Sequence, residues 1–244
     1  MSIAVIFPVV PPPFAAKGAS RPFSKIDSRE VFLRCVELYT PRDQVTQRIV
    51  VVTPDDLQTM QERYSAHLGF QGVTVTAGGS DWFACVARGL EKLDEKVETV
   101  IVHDPCCPAA AFTLLDALEE ALGKNKEAAG VVPVVPSRSA FADLNGDRTV
   151  AEYVDMAKVS EVQSPQIYRR QALVDAYAKR GGNSFVDDAE LVMSAGHKIA
   201  TIGGSRFNMR IDNDEMVRLG KDLINHMPKP KSKTPLTPFG EAEW

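Results

Sequence analysis

This chain is expected to fold as an α/β protein, a doubly wound, mostly parallel sheet with one protruding β-arm. Three observations predict it. Short β-branched runs recur at 3–10, 48–53, 73–76, 97–103 and 131–135, each bounded by Pro, Thr, Asp or Gly, and each reads as a buried parallel strand. Segments with helical spacing lie between them at 31–39, 55–67, 81–93 and 109–122, and such alternation implies right-handed crossovers. From 136 to 163 the pattern breaks into polar and β-compatible residues around a turn at Asn145-Gly146-Asp147, as an excursion from the sheet would.

The elements follow in chain order. The run at 3–10 opens the sheet, and the helix over 31–39 returns the chain to the strand at 48–53. Pro54-Asp55 then starts the helix over 55–67, and Ser80-Asp81 starts the one over 81–93. Both pairs put capping side chains and negative charge where a first turn leaves amides unpaired. After the arm, helices are expected at 169–179 and 188–195, a strand at 198–202 and a last helix at 212–223. In an open sheet of this kind ligands bind beyond the carboxyl ends of the strands, here just after Val10, Thr76, His103 and Val135.

Length and composition agree with one folded unit. The 244 residues are 44% hydrophobic and 25% charged, enough for one substantial core. A formal net charge of −4 leaves no basic footprint, which argues against nucleic acid as a partner. The first apolar segment is too short to span a bilayer and lacks a cleavage-site pattern, so neither membrane nor secretion is expected and the location is read as cytoplasmic. Four cysteines without metal-type spacing read as reduced and packed. Residues 1–226 are expected to form the α/β domain, and 227–244, rich in Lys and Pro, a disordered tail.

The order of motifs adds an identity. Gly78-Gly79 with Val86 and Gly89-Leu90, His103-Asp104 with Pro108, Pro133-Val134, Pro165-Gln166, Asp187-Asp188-Ala189 and Asn208-Met209-Arg210-Ile211 follow one another as they do in one family. Over roughly 3–223 the chain resembles the 2-C-methyl-D-erythritol 4-phosphate cytidylyltransferases, of Rossmann-like nucleotidyltransferase fold. The resemblance implies CTP and a sugar-alcohol phosphate as substrates, Mg²⁺ held near Asp104, and a homodimer built through the arm at 136–163.

Mapped residue by residue, the resemblance assigns phosphate contacts to Arg21 and Arg210, with Lys17 as a substitute cation. It assigns nucleotide contacts to Val10, Gly79, Ser80 and Cys85. Several positions depart from the family pattern. The glycine-rich turn after the first strand is replaced by Pro11-Pro12-Pro13-Phe14-Ala15, and prolines supply no N–H donors for a triphosphate. Arginines of the pattern are replaced by Ala15, Trp82, Cys107 and Met156, and a serine by Cys85.

Simpler roles compete at several of these residues. Asp104 and Asp187-Asp188 suit helix starts, Arg210 suits an ion pair with Asp187 or Asp188, and Cys106-Cys107 suits inert packing. Trp82 and Phe83 read equally as a plug or as a stacking platform. Two functions remain open at this level: a nucleotidyltransferase acting on CTP, or a member of the fold kept as a binding or partner module.

Overall fold

The computed structural model describes residues 2–16 and 18–227, so Lys17 and all of the expected tail except Met227 lie outside the described residues. The chain runs β1 (Ile3–Pro8), a small hairpin of β2 (Lys25–Ile26) and β3 (Arg29–Glu30), α1 (Val31–Glu37), β4 (Val45–Val52), α2 (Pro54–Phe70), β5 (Val73–Ala77), α3 (Trp82–Leu90), β6 (Thr99–Val102), α4 (Phe112–Lys124) and β7 (Ala128–Pro136). The arm carries β8 (Ala142–Leu144) and β9 (Val150–Tyr153), and the chain returns through β10 (Ser160–Val162) and β11 (Gln166–Arg169). It ends with α5 (Arg170–Lys179), α6 (Asp188–Ser194), β12 (Lys198–Gly203) and α7 (Asp214–His226).

The main sheet runs β5-β4-β1-β6-β11-β7, with β12 parallel to β7 and β10 antiparallel to it. Strand β1 is parallel to both neighbours, pairing Ile6 with Ile49 and with Val102. Its side chains alternate between two cores, as the two-residue period of a strand requires. Ala4 and Ile6 join the cluster under α3, α5 and α6, while Ile3, Val5 and Phe7 join the one under α1, α2 and α4. That double burial explains why the strands read as unbroken apolar runs.

The sheet differs from expectation in two strands: β10, within the segment expected to leave the sheet, pairs antiparallel with β7, and β11 is not among the expected elements. Strand β11 lies antiparallel between β6 and β7, so β7 is parallel only on its β12 side. Its four residues run directly into α5, which gives no alternation to detect. The strand expected over 3–10 leaves the ladder at Pro8, although Val9 and Val10 remain buried. The helix expected over 81–93 stops at Leu90. Its expected cap is present: Asp81 accepts from the Ala84 amide at 2.9 Å. Thr53 caps α2 with Pro54 as the first helical residue, a placement that suits a residue without an N–H. Among the described residues no helix is long and apolar enough to cross a membrane.

Candidate functional site

Beyond the carboxyl ends of β6 and β7, where β11 has its amino end, lies a cavity of about 580 Å³. Its walls come from the loop after β1 (Pro12, Phe14), the start of α3 (Trp82), the loop after β6 (Asp104, Cys107), the arm's return strand, and the turn between β12 and α7 (Asn208, Arg210). This is the place that strand direction predicts for a ligand.

Asp104 sits on the floor and is almost fully buried. Its Oδ1 accepts from the Cys106 amide at 2.9 Å and its Oδ2 pairs with Arg210 Nε at 2.6 Å. Burial pushes the Asp104 carboxyl up, and the Arg210 guanidinium works against that shift. Burial also opposes the charge on Arg210, but the adjacent Asp104 carboxylate outweighs it, so the guanidinium is held as a cation. Arg210 Nη1 donates to the Ala19 carbonyl at 2.6 Å, whereas Nη2 is buried without a partner. A cation fixed at two points with one donor unused suits an anionic oxygen entering the cavity. The ion pair expected between Arg210 and Asp187 or Asp188 is not formed, because the turn after β12 brings Arg210 to Asp104 instead.

His103 orients the same loop from beneath. Its Nδ1 accepts from the Tyr39 hydroxyl at 2.8 Å and its Nε2 donates to the Cys107 carbonyl at 3.0 Å. Burial pulls the imidazole down to about 4, so it is neutral and structural. Cys106 and Cys107 are buried free thiols, and burial pushes Cys106 up to about 12, which removes the thiolate that reactivity needs.

The opposite wall is acidic and aromatic. Trp82 donates its indole N–H to Asp188 Oδ2 at 2.8 Å, and the Tyr177 hydroxyl donates to Asp188 Oδ1. Asp187 caps α6 by accepting from the Glu190 amide at 2.9 Å and accepts from Gln166 Nε2 at 3.0 Å. Trp82 therefore closes one end of the cavity as a wall anchored by a buried carboxylate.

Of the residues singled out in the sequence, Asp104 and Arg210 are brought together and line the cavity. Arg21 is outside the lining; its Nε meets Asp214 at 3.3 Å and its Nη1 donates to the carbonyls of Gly18 and Ser20. Val10, Gly79, Ser80 and Cys85 also lie outside the lining. Val10 is buried, Ser80 is exposed, and the Cys85 thiol donates to the Gly79 carbonyl at 3.4 Å. A Cβ on Gly79 would come within 2.4 Å of the Ala84 Cβ, so that turn is packed against α3. Pro12 and Phe14 stand at the mouth of the cavity, and Phe14 is 58% exposed. Sequence reading passed over Gln163 and Arg206 and gave Asn208 no role. All three depend on contacts between segments 42 to 70 residues apart, which no local pattern announces.

The Mg²⁺ expected near Asp104 meets a poor fit. Both carboxylate oxygens are engaged, and the described residues contain no group of three His, Cys, Asp or Glu side chains able to hold a metal ion.

The chain is similar to known proteins in both sequence and fold. Residues 14–223 match the family described as 2-C-methyl-D-erythritol 4-phosphate cytidylyltransferase. A protein of that name from Frankia casuarinae is 30% identical over 207 residues, covering 85% of this chain and 75% of its own length. Another from Alkaliphilus metalliredigens is 25% identical over 212 residues, covering 86% and 87%. Among solved structures, 4-diphosphocytidyl-2C-methyl-D-erythritol synthase from Anaerococcus prevotii superposes with a TM-score of 0.76 at 20% identity, covering 92% of this chain and 96% of its own. The Thermus thermophilus cytidylyltransferase does so with a TM-score of 0.71 at 24% identity, covering 92% and 100%. The identities to these two solved structures, 20% and 24%, carry the fold and no more.

Proposed function

This chain belongs to the 2-C-methyl-D-erythritol 4-phosphate cytidylyltransferase family, and on that premise we propose that it joins a small phosphorylated alcohol to the cytidylyl group of CTP. An oxygen of the acceptor's phosphate attacks the α-phosphorus, a new P–O–P link forms, and the bond to the β-phosphate breaks to release pyrophosphate. Such a transfer asks the protein for positioning and charge neutralisation rather than covalent chemistry.

The observation that carries this reading is Arg210, which lines the cavity with its Nε on Asp104 and its Nη1 on the Ala19 carbonyl and keeps a buried Nη2 without a partner. In this reading it receives the acceptor phosphate. Arg21 is partly exposed and would have to give up its 3.3 Å contact with Asp214 and its Nη1 bonds to the Gly18 and Ser20 carbonyls to turn toward the triphosphate, whose charge would replace them. The exposed apolar side chains of the β8–β9 hairpin, Leu144, Val150 and Tyr153, support self-association through the arm.

The test is pyrophosphate release from CTP with 2-C-methyl-D-erythritol 4-phosphate. Turnover is expected, with a loss of about a hundredfold or more in Arg210→Ala, as for other removed charge-assisted contacts. No release with any of the four nucleoside triphosphates would overturn it. One observation favours a second reading, retention of the fold for binding alone: Pro11-Pro12-Pro13 and Phe14 stand where amide donors to a triphosphate would be needed. Calorimetric binding of the phosphate ester without turnover would select that reading.

A further inference from the structure

The return of the arm ends at Gln163, between β10 and β11, and this side chain makes an unusually complete set of contacts with the turn that carries Arg210. Its Nε2 donates to the Ser205 carbonyl at 2.8 Å and to the Asn208 carbonyl at 3.1 Å. Its Oε1 accepts from the Ser205 amide at 3.0 Å, and its own amide donates to the Pro133 carbonyl at 2.9 Å. Every polar group of the residue apart from its own carbonyl is therefore spent on β7 or on the turn after β12.

Two further features show that this contact is built into the turn. A Cβ on Gly204 would lie 2.2 Å from Gln163 Oε1, so the position accepts only glycine while the side chain is in place. Next to Gln163, Ser164 continues the stitching: its carbonyl accepts from Asn208 Nδ2 at 2.6 Å and its hydroxyl oxygen accepts from the Asp104 amide at 2.8 Å. Asn208 is only 4% exposed, lines the cavity, and keeps an unpartnered Oδ1. The turn thus carries two unpaired buried groups, an acceptor on Asn208 and a donor on Arg210; segment 163–164 holds the stretch from Ser205 to Asn208, and Asp104 holds the Arg210 guanidinium two residues further on.

We propose that Gln163 is the positioning residue of this site: its clamp on Ser205 and Asn208 sets the turn from which Arg210 meets the ligand's phosphate end. Gln163 also lines the cavity, but its side-chain donor and acceptor are both engaged by the turn, so in this role it acts through the turn. The inference rests on the proposed role of Arg210 for its functional consequence but not for its structural content.

Gln163→Met keeps the volume and removes all three side-chain hydrogen bonds, and Gly204→Ala keeps Gln163 but displaces its tip. Labelling of Arg210 by phenylglyoxal, read by mass spectrometry together with amide exchange across 204–210, needs no ligand. Both variants are expected to label Arg210 about tenfold faster than wild type, the equivalent of one to two net hydrogen bonds, with little change in the global melting temperature. In turnover assays the KM for the acceptor is expected to rise by a similar factor while kcat changes less. Wild-type labelling and exchange in either variant would overturn the role of Gln163, and so would an equal loss of stability throughout the molecule. Accelerated labelling in a protein that shows no turnover would sink the proposed function and leave the clamp standing.

Discussion

Asp188 is a carboxylate held by two neutral donors, Trp82 and Tyr177, and burial pushes its pKa from 3.8 up to about 6. A group raised on folding stabilises the protein fully below its unfolded value and loses that contribution as pH rises through the folded one, here between about 3.8 and 6. His103 has the opposite sign. Pulled from 6.5 down to about 4, it supports the fold fully above 6.5 and loses its contribution as pH falls toward 4. The two offset each other in the overlapping window. Asp188→Asn separates them, because an amide keeps an acceptor for Trp82 and a partner for Tyr177 without ionising. The variant is expected to be more stable than wild type at pH 8, by on the order of 2–3 kcal/mol, and to lose that gain below pH 4. Thermal melts across this range check it, and an equal gain at both ends would contradict the burial argument. The same reasoning marks Arg210 as a residue whose loss also affects stability, since it would leave Asp104 buried and unpaired.

Among the elements, α3 shows how local chemistry places a wall of the site. Asp81 caps the helix, and the residue that follows is Trp82, so the cap sets the height of the indole at the end of the cavity. Asp81→Ala is expected to cost about 1 kcal/mol in chemical denaturation; a variant as stable as wild type would show that tertiary packing alone holds this start. The arm behaves differently. Its two strands pair only with each other, and Tyr153 is 73% exposed, so nothing within the described chain buries the apolar side of the hairpin. We expect sedimentation to find a dimer at micromolar concentration and Leu144→Ser with Tyr153→Ser to shift it to monomer. A wild-type monomer under the same conditions would remove the arm's proposed role.

At the scale of the whole molecule, the order of strands and helices was legible because double burial under two helical layers imposes apolar runs that a reader can count. Ile3 to Phe7 is an example: five residues that divide between two cores yet look alike in sequence. Strand β11 was not legible, since its partners are β6 and β7 and its own four residues show no period. The site divides in the same way. Asp104 and Arg210 could be picked out as separate residues by family position, and the proline-filled turn at 11–13 by composition. That the two charged residues pair with each other could not, because 106 positions separate them and ion pairing is decided by distance in space. By itself, then, the sequence determined the layered α/β architecture, the family and the positions at which this chain departs from it, all properties carried by local period and motif order. Only the tertiary structure decided which partner holds Arg210, where Gln163 clamps its turn and which walls close the cavity. Those depend on segments brought together by the sheet, whose contacts leave no trace in neighbouring residues.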